Sequence, residues 1–237
     1  MTVKFDQPLI AGRLIRRYKR FLADVELSDG TVVTAHCPNS GRMTTCIGPD
    51  WPVQLSRSDN PRRKLPYTLE MTHNGHCWIG VNTLRTNAIV HHALRQGHIP
   101  ELAGFDQIRT EVPLGGNSRI DFLLTFGNKK CYLEVKSVTL KSDADFVSFP
   151  DAITRRGQKH LLELRQAQDQ GDQAAVLFLV QRTDAERFRP AWEIDPSFSE
   201  TLAKLHSEGL TIMAYQAQVT PQAFAFKGSL PVVLAKR

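Results

Sequence analysis

The chain has 237 residues, of which 41% are hydrophobic and 23% charged, and its formal net charge is +6. This length fits one large domain or two modest ones, and the composition is that of an ordinary globular protein with a real core. No apolar run reaches the roughly 18–20 residues of a membrane span, and the mixed charges at the start do not resemble a signal peptide. We therefore expect a cytoplasmic protein with no membrane partner, and the positive charge suits a polyanionic ligand.

Residues 1–83 show the pattern of β structure. Six short segments mix β-branched, aromatic and aliphatic residues, and turn signals rich in Gly, Pro, Asn and Asp separate them. The segments are 9–15, 20–27, 31–37, 52–58, 67–72 and 77–82. Short strands at this spacing predict a small barrel of the OB type, although an SH3-like barrel would give a similar pattern.

Residues 84–237 have a different character, because helical and extended segments alternate. The expected helices are 83–97, 151–171 and 196–209, and the expected strands are 107–114, 119–126, 130–140, 174–180 and 210–219. Helices alternating with strands predict a mixed α/β sheet covered on both faces. The chain therefore divides near residue 83 into a β domain and an α/β domain.

One hairpin carries the most chemical information. Gly127-Asn128 is a two-residue turn signal between two strands. If those residues form the loop, the positions of paired residues sum to 255, so Asp121 lies opposite Glu134 and Arg119 lies opposite Lys136. Residues paired in this way have Cβ atoms roughly 4.5–5.5 Å apart on one face of the sheet. The pattern predicts two carboxylates and a lysine side by side.

Two like charges at that separation require a shared proton or a bound cation. Mg²⁺ uses one or two carboxylates together with waters and phosphate oxygens, and Mn²⁺ suits the same ligands. Such an ion activates a water for phosphodiester attack, and Lys136 is placed to hold that water or to neutralise the phosphate. An ordinary surface ladder of ion pairs gives the same spacing and stays open as an alternative.

Several longer segments carry a family resemblance. They are RYKRFLADV (17–25), HCPNSGRM (36–43), SDNPRRKLPYT (58–68), VNTLRTN (81–87), SRIDFLL (118–124), YLEVKSVTL (132–140), FPDAITRRGQKHLLEL (149–164) and SLPV (229–232). Through them the chain resembles the sugar fermentation stimulation protein A (SfsA) family over nearly its whole length. The resemblance implies an OB-fold at 1–83 and a domain similar to the PD-(D/E)xK nucleases (restriction-endonuclease-like) at 84–237. It also implies DNA binding and a regulatory part in sugar (maltose) utilisation.

The resemblance assigns roles to individual residues. Asp121 matches the acidic residue of the nuclease core, and Glu134 and Lys136 match its ExK motif. Glu111 is an additional acid for the metal site. The helix at 84–96 holds no acid, whereas many such nucleases place a metal-binding Glu there. This departure keeps open the alternative of a non-catalytic DNA-binding regulator on a vestigial nuclease fold.

Four basic or polar clusters are candidates for nucleic-acid contact. They are Arg16, Arg17, Tyr18, Lys19 and Arg20; Asn39 and Ser40; Arg57, Arg62, Arg63 and Lys64; and Arg155, Arg156, Gln158 and Lys159. Basic side chains interleaved with aromatic ones can follow a phosphate backbone and stack on nucleobases. The N-terminus of a helix can bind a phosphate. We expect a largely sequence-nonspecific DNA-binding protein with a nuclease site that uses Mg²⁺ or Mn²⁺ for cleavage but not for binding. Single-stranded nucleic acid remains an alternative partner.

Overall fold

The computed structural model describes residues 2–115 and 118–236, which form two packed units. The strands are β1 (Thr2–Lys4), β2 (Ile10–Tyr18), β3 (Leu22–Leu27), β4 (Val32–His36), β5 (Pro52–Arg57), β6 (Tyr67–His73), β7 (Trp78–Gly80), β8 (Gln107–Pro113), β9 (Arg119–Phe126), β10 (Lys129–Val138), β11 (Leu140–Lys141), β12 (Phe146–Phe149), β13 (Gln173–Val180), β14 (Arg187–Pro190), β15 (Thr211–Val219) and β16 (Ala223–Ser229). The helices are α1 (Thr86–Arg95), α2 (Arg155–Asp169) and α3 (Pro196–Ser207), with short 3-10 turns at Thr83–Arg85 and Pro100–Leu102.

Strands β2 to β7 form the first unit. They pair in the order β4-β3-β2-β5-β6-β7, and a contact between His36 of β4 and Thr68 of β6 closes the sheet on itself. Alternate side chains such as Leu14, Val25 and Leu55 fill the interior and are almost fully buried. The predicted OB-type barrel is therefore confirmed.

The second unit is built on a mixed sheet in the order β1-β16-β15-β13-β10-β9-β8. Strands β10, β13 and β15 are parallel, whereas the other neighbours are antiparallel. Helix α1 packs its apolar side on one face, and α2 and α3 pack on the other. Strand β13 is buried on both faces, as its continuous apolar sequence predicts. None of the helices in the described part of the chain is long and apolar enough to cross a membrane.

The first strand departs from the predicted domain division. Strand β1 pairs with β16, with Val3 opposite Phe224, so the start of the chain belongs to the second sheet rather than to the barrel. The assignment of all of residues 1–83 to the barrel is therefore wrong for this segment. Met1, Gly116, Asn117 and Arg237, which the predicted domains include, lie outside the described residues. The division at residue 83 otherwise remains a prediction.

The sequence pattern also misses elements of the second unit. Strands β11, β12 and β14 form a separate small sheet, and β16 follows the last expected strand. Helix α2 begins later than expected, because the Thr154 hydroxyl accepts a hydrogen bond from the Gly157 N–H at 3.1 Å and caps the helix there. Short strands of two to four residues give too weak a pattern to be recognised from sequence.

A buried arginine joins the two units. The Arg182 side chain donates to both carboxylate oxygens of Asp184, at 2.6 and 2.7 Å, and to the carbonyls of Thr45 and Thr139. Asp184 also accepts a hydrogen bond from the Asn74 amide of the barrel at 2.8 Å. Burial opposes ionisation of Asp184, but the bonds from Arg182 outweigh it and hold the pKa of Asp184 well below its usual range. This network fixes the barrel against the mixed sheet.

Replacing Arg182 by Met should lower the free energy of unfolding by about 3–5 kcal/mol, because the substitution removes a buried guanidinium and leaves the mostly buried carboxylate of Asp184 with only Asn74 and Lys141 as partners. Urea denaturation followed by circular dichroism measures this loss. Arg165→Met is the matched control, since Arg165 forms exposed ion pairs with Asp169 and Glu208, and its loss should cost about 1 kcal/mol or less. Equal, small losses in the two variants would contradict the bridging role of Arg182.

Candidate functional site

The hairpin of β9 and β10 has the predicted register up to its charged end. Phe126 pairs with Lys129 and Phe122 with Leu133, so each pair sums to 255 as expected. The described ladder ends there, and the Val135 N–H donates at 2.7 Å to the carboxylate of Asp121 instead of to a backbone carbonyl. The expected pairings of Asp121 with Glu134 and of Arg119 with Lys136 are therefore not part of the ladder, because the strands separate where the acids lie.

Asp121 is held by two donors on different elements. Its Oδ2 accepts the Val135 N–H, and its Oδ1 accepts a hydrogen bond from the Asn87 side-chain amide of α1 at 2.7 Å. Burial and the negative charge of the neighbouring Glu134 raise the pKa of Asp121 to about 6, against the opposing effect of these hydrogen bonds. The carboxylate is therefore fixed in position but is costly to ionise without a further positive charge.

Glu134 is buried, with only 3% of its surface exposed, and its two oxygens differ sharply. Its Oε1 contacts both the Lys136 ammonium and the His160 Nδ1, each at 2.5 Å. Its Oε2 is buried and has no hydrogen-bond partner among the described residues. Burial opposes ionisation of Glu134, but the bond from His160 and the charge of Lys136 outweigh it and lower the pKa of Glu134.

The geometry also determines the tautomer of His160. The Arg156 Nε lies 3.4 Å from the His160 Nε2, and a guanidinium can only donate, so Nε2 accepts. The ring proton then resides on Nδ1, which donates to Glu134. Helix α2 thus orients the carboxylate of Glu134 through His160, with Arg156 one turn earlier on the same helix.

These groups line a cleft of about 520 Å³ at the end of β9 and β10. Its lining is Thr83, Leu84, Thr86, Asn87, Glu111, Arg119, Asp121, Glu134, Val135, Lys136, Ser137, Arg156 and His160. Glu111 lies in the cleft wall on β8, exposed and with a φ of 52°, where the pairing of β8 with β9 skips one residue. Within residues 2–115 and 118–236, no three His, Cys, Asp or Glu side chains are arranged to hold a metal ion. The structure therefore does not bring Glu111 into one ligand set with Asp121 and Glu134.

Two carboxylates still fit a hard divalent cation. The Oε2 of Glu134 is a buried oxygen that has no partner in the part of the chain that the structure describes, and an ion beside Asp121 would remove the repulsion that raises the pKa of that group. Mg²⁺ needs only one or two protein carboxylates, since waters and phosphate oxygens complete its shell. Asp121 and Glu134 are the residues that would hold such an ion.

The basic segment at the end of β2 is largely engaged within the barrel. Arg16 forms an ion pair with Asp24 at 2.9 Å and lies over the ring of Tyr18, whose hydroxyl donates to the same carboxylate. Arg17 donates to three backbone carbonyls of the loop at 39–42. These contacts give the three side chains structural roles, and their contact with nucleic acid stays a prediction.

The loop at 39–43 presents its residues in two ways. Asn39 is buried, and its side chain donates to the Val81 carbonyl and accepts from the Gly41 N–H, so it shapes the loop. Ser40 is exposed and, together with Arg20, lines a second cavity beside the cleft. Lys19 and Arg20 form the turn between β2 and β3, with φ values of 45° and 65°.

The remaining basic candidates lie at varied distances from the acids. Arg57, Arg62, Arg63 and Lys64 are exposed at the end of β5 and in the following loop, and none of them lines the cleft. On α2, only Arg156 of the four predicted residues lines the cleft. Gln158 donates to Ser197 at 2.6 Å, Lys159 forms an ion pair with Glu163 at 3.6 Å, and Arg155 is exposed at the helix start.

Two site residues have no clear signal in the sequence. Asn87 lies in the first turn of the helix that carries no acid, and its amide binds Asp121. His160 is, from sequence, only one of several basic residues near a helix start, yet it is buried against Glu134. The four-residue spacing of Arg156 and His160 places both on one helix face, which is a weak and unspecific signal that they form a pair.

The fold and the site define a class of protein in which an OB barrel is joined to a domain with a restriction-endonuclease-like core. In this chain the core is the mixed sheet, with an acidic residue on one strand and ExK on the next. Models described as the SfsA N-terminal OB domain and the sugar fermentation stimulation protein RE domain match residues 15–81 and 84–223. The chain belongs to the sugar fermentation stimulation protein (SfsA) family.

Individual relatives agree with this assignment. The sugar fermentation stimulation protein homolog of Geotalea uraniireducens is 50% identical over 225 residues, which cover 95% of this chain and 97% of the relative. That of Desulfotalea psychrophila is 47% identical over 230 residues, covering 97% and 94%. SfsA of Pyrococcus furiosus, solved in complex with Ca²⁺, has a TM-score of 0.89 at 23% identity, covering 98% of this chain and 99% of its own. The last comparison shows the shared fold.

The pKa of Asp121 can be measured directly in metal-free protein. Carbon NMR of the aspartate carboxyls, with EDTA present, should show Asp121 titrating at about 6. Glu134→Gln should lower that pKa, because the nearby negative charge is removed while burial is kept. Glu208→Gln, at a distant surface ion pair, is the control and should leave it unchanged. An ordinary aspartate pKa in the wild-type protein would contradict the described site.

Proposed function

We propose that the protein binds DNA and hydrolyses its phosphodiester bonds with Mg²⁺ or Mn²⁺. The observation that carries the proposal is the pair of carboxylates at Asp121 and Glu134. One buried oxygen of Glu134 has no partner within residues 2–115 and 118–236, and the Lys136 ammonium lies alongside. Hydrolysis adds one water across a P–O bond and yields a phosphomonoester and an alcohol. A divalent ion, when bound, supplies charge neutralisation and a more acidic water.

Five residues of the cleft have distinct tasks in this proposal. Asp121 and Glu134 would hold the ion, and Asn87 and His160 keep their carboxylates in fixed orientations. Hydrogen bonds to the side chains that ligate a metal fix the geometry of those ligands and are needed for full metal affinity. Lys136, only slightly exposed beside Glu134, faces the developing negative charge on the phosphate.

Phosphate binding explains the positive charge of the protein. Arg119 and Arg156 lie in the cleft beside the acids, and Arg20 lies in the adjoining cavity. Contacts to phosphate give affinity without reading bases, so we expect binding that is largely independent of sequence and weakens with salt. The exposed Arg57, Arg62, Arg63 and Lys64 extend this charge along the barrel.

Two comparisons support the proposal. The family model for residues 84–223 is described as an RE domain, and the Pyrococcus furiosus SfsA of the same fold was solved with Ca²⁺. Ca²⁺ takes oxygen ligands, as Mg²⁺ does, and the pair of carboxylates here offers that donor type.

Cleavage of supercoiled plasmid and of short oligonucleotides tests the activity. With Mg²⁺ or Mn²⁺ the wild-type protein should cut, and EDTA should abolish cutting without abolishing binding in a gel shift. Asp121→Asn and Glu134→Gln should each reduce the rate by about 100-fold or more, and Lys136→Met by a similar factor, because each removes a group that acts on the reacting phosphate.

Two further variants sharpen this test. Glu111→Gln should reduce the rate far less than Asp121→Asn, because Glu111 lies apart from the two ligands. Glu208→Gln, on the distant surface, should cut like the wild type. DNA binding without cutting under any metal would refute the nuclease activity and leave a DNA-binding regulator on a nuclease-like scaffold.

A further inference from the structure

A second cavity of about 410 Å³ lies between the barrel and the mixed sheet. Arg20, Asn39, Ser40 and Gly41 of the barrel form one wall, and the segment 148–154 before α2 forms the other. Thr83, Val135, Lys136 and Ser137 line both this cavity and the cleft of Asp121 and Glu134. The two spaces are therefore neighbours on either side of Lys136.

The size of the cavity limits what enters it. A volume of about 410 Å³ falls in the range of small-molecule pockets, which suits one nucleotide unit and not a base-paired segment. Enzymes that act on nucleic acid admit a base to such a pocket only when the base is unpaired or rotated out of the duplex.

Each of the two spaces is lined by one highly exposed apolar side chain. Leu84 and Ile153 are 72% and 71% exposed, the highest values for a large hydrophobic side chain in the described part of the chain. Leu84 lines the cleft, and Ile153 lines the cavity. An exposed apolar side chain gains little binding free energy from contact with phosphates. It packs well against the face of an unstacked base.

Charge at the same place complements a nucleic-acid backbone. Arg20 borders the cavity, and Lys136 lines both the cavity and the cleft. Asp151 also lines the cavity, where its carboxylate accepts a hydrogen bond from the Met43 N–H. Polar groups for the edges of a base are also present, since Ser40 is exposed on the barrel loop and the Ser137 hydroxyl, which accepts a hydrogen bond from Gln181, lies on β10. The cavity thus combines an exposed apolar side chain, hydroxyls and cations, and it shares four lining residues with the cleft of the paired carboxylates.

We propose that this interdomain cavity receives one unpaired nucleobase next to the phosphate held at Asp121 and Glu134, and that the preferred substrate is single-stranded nucleic acid. The inference rests on the proposed nuclease function and specifies its substrate class. The barrel contributes a wall of the substrate site through Ser40, in addition to any binding along its own surface.

Filling the cavity tests the assignment. Ser40→Trp places a large ring in it from an exposed loop position, and Ser207→Trp at the far end of α3 is the matched control. We would measure Mn²⁺-dependent cleavage, and binding in EDTA, of one labelled oligonucleotide as a single strand and as a blunt duplex. Wild type and Ser207→Trp should cut the single strand about tenfold faster than the duplex, and Ser40→Trp should lose about tenfold in single-strand cleavage and affinity.

Ile153→Ala provides a second variant that needs no added bulk. It should weaken single-strand binding by about fivefold or more, the effect of removing a side chain that packs on a base. The cavity assignment would be overturned if single strand and duplex were cut equally and if neither Ser40→Trp nor Ile153→Ala changed cleavage. That result would leave the proposed nuclease activity supported. If the wild-type protein cut neither substrate, the proposed nuclease activity would be refuted instead. Binding alone would then decide the cavity: weaker single-strand binding in both variants supports it, and unchanged binding overturns it.

Discussion

The buried carboxylate of Glu134 is the constraint on which the site depends. A carboxylate removed from water needs partners for both oxygens, yet Lys136 and His160 satisfy only Oε1, while Oε2 has none among the described residues. Its charge also raises the pKa of Asp121. A divalent ion between the two acids would relieve both costs, because it supplies a partner for Oε2 and neutralises the repulsion. An unpartnered carboxylate oxygen and a repulsion between two acids in the metal-free protein are what we expect of a cation-binding site.

The second constraint is the fixed contact between the two units. Arg182, bound to Asp184 and to carbonyls on both sides of the interface, prevents the barrel from moving freely against the mixed sheet. The barrel loop also contacts the second unit directly, since the Met43 N–H donates to Asp151 at 3.0 Å. The loop that carries Ser40 is thereby held beside the acids. The barrel accordingly contributes residues to the cavity that adjoins the cleft of the two acids.

The sequence predicts the parts of the site that depend on local rules. The Gly127-Asn128 turn and the two-residue period of strands set the hairpin register, and so bring Asp121 near Glu134. The sequence does not predict that the strand pairing ends at these residues. It ends there because the carboxylate of Asp121 accepts the hydrogen bond from the Val135 N–H. His160 and Asn87 reach the acids from two helices, a long-range arrangement without a local pattern. The internal engagement of Arg17 is missed for the same reason, since basic residues look alike whether they bind carbonyls or phosphates.

The position of a bound metal ion shows whether Asp121 and Glu134 are its ligands. Crystals of the wild-type protein soaked in Mn²⁺, with anomalous diffraction recorded at the manganese edge, give the ion's position independently of any activity. We predict a peak between the carboxylates, about 2.0–2.3 Å from an Asp121 oxygen and from Oε2 of Glu134, with waters completing the shell. A peak elsewhere, or no peak at a Mn²⁺ concentration that supports cleavage, would contradict the assignment of these two residues as the ligands.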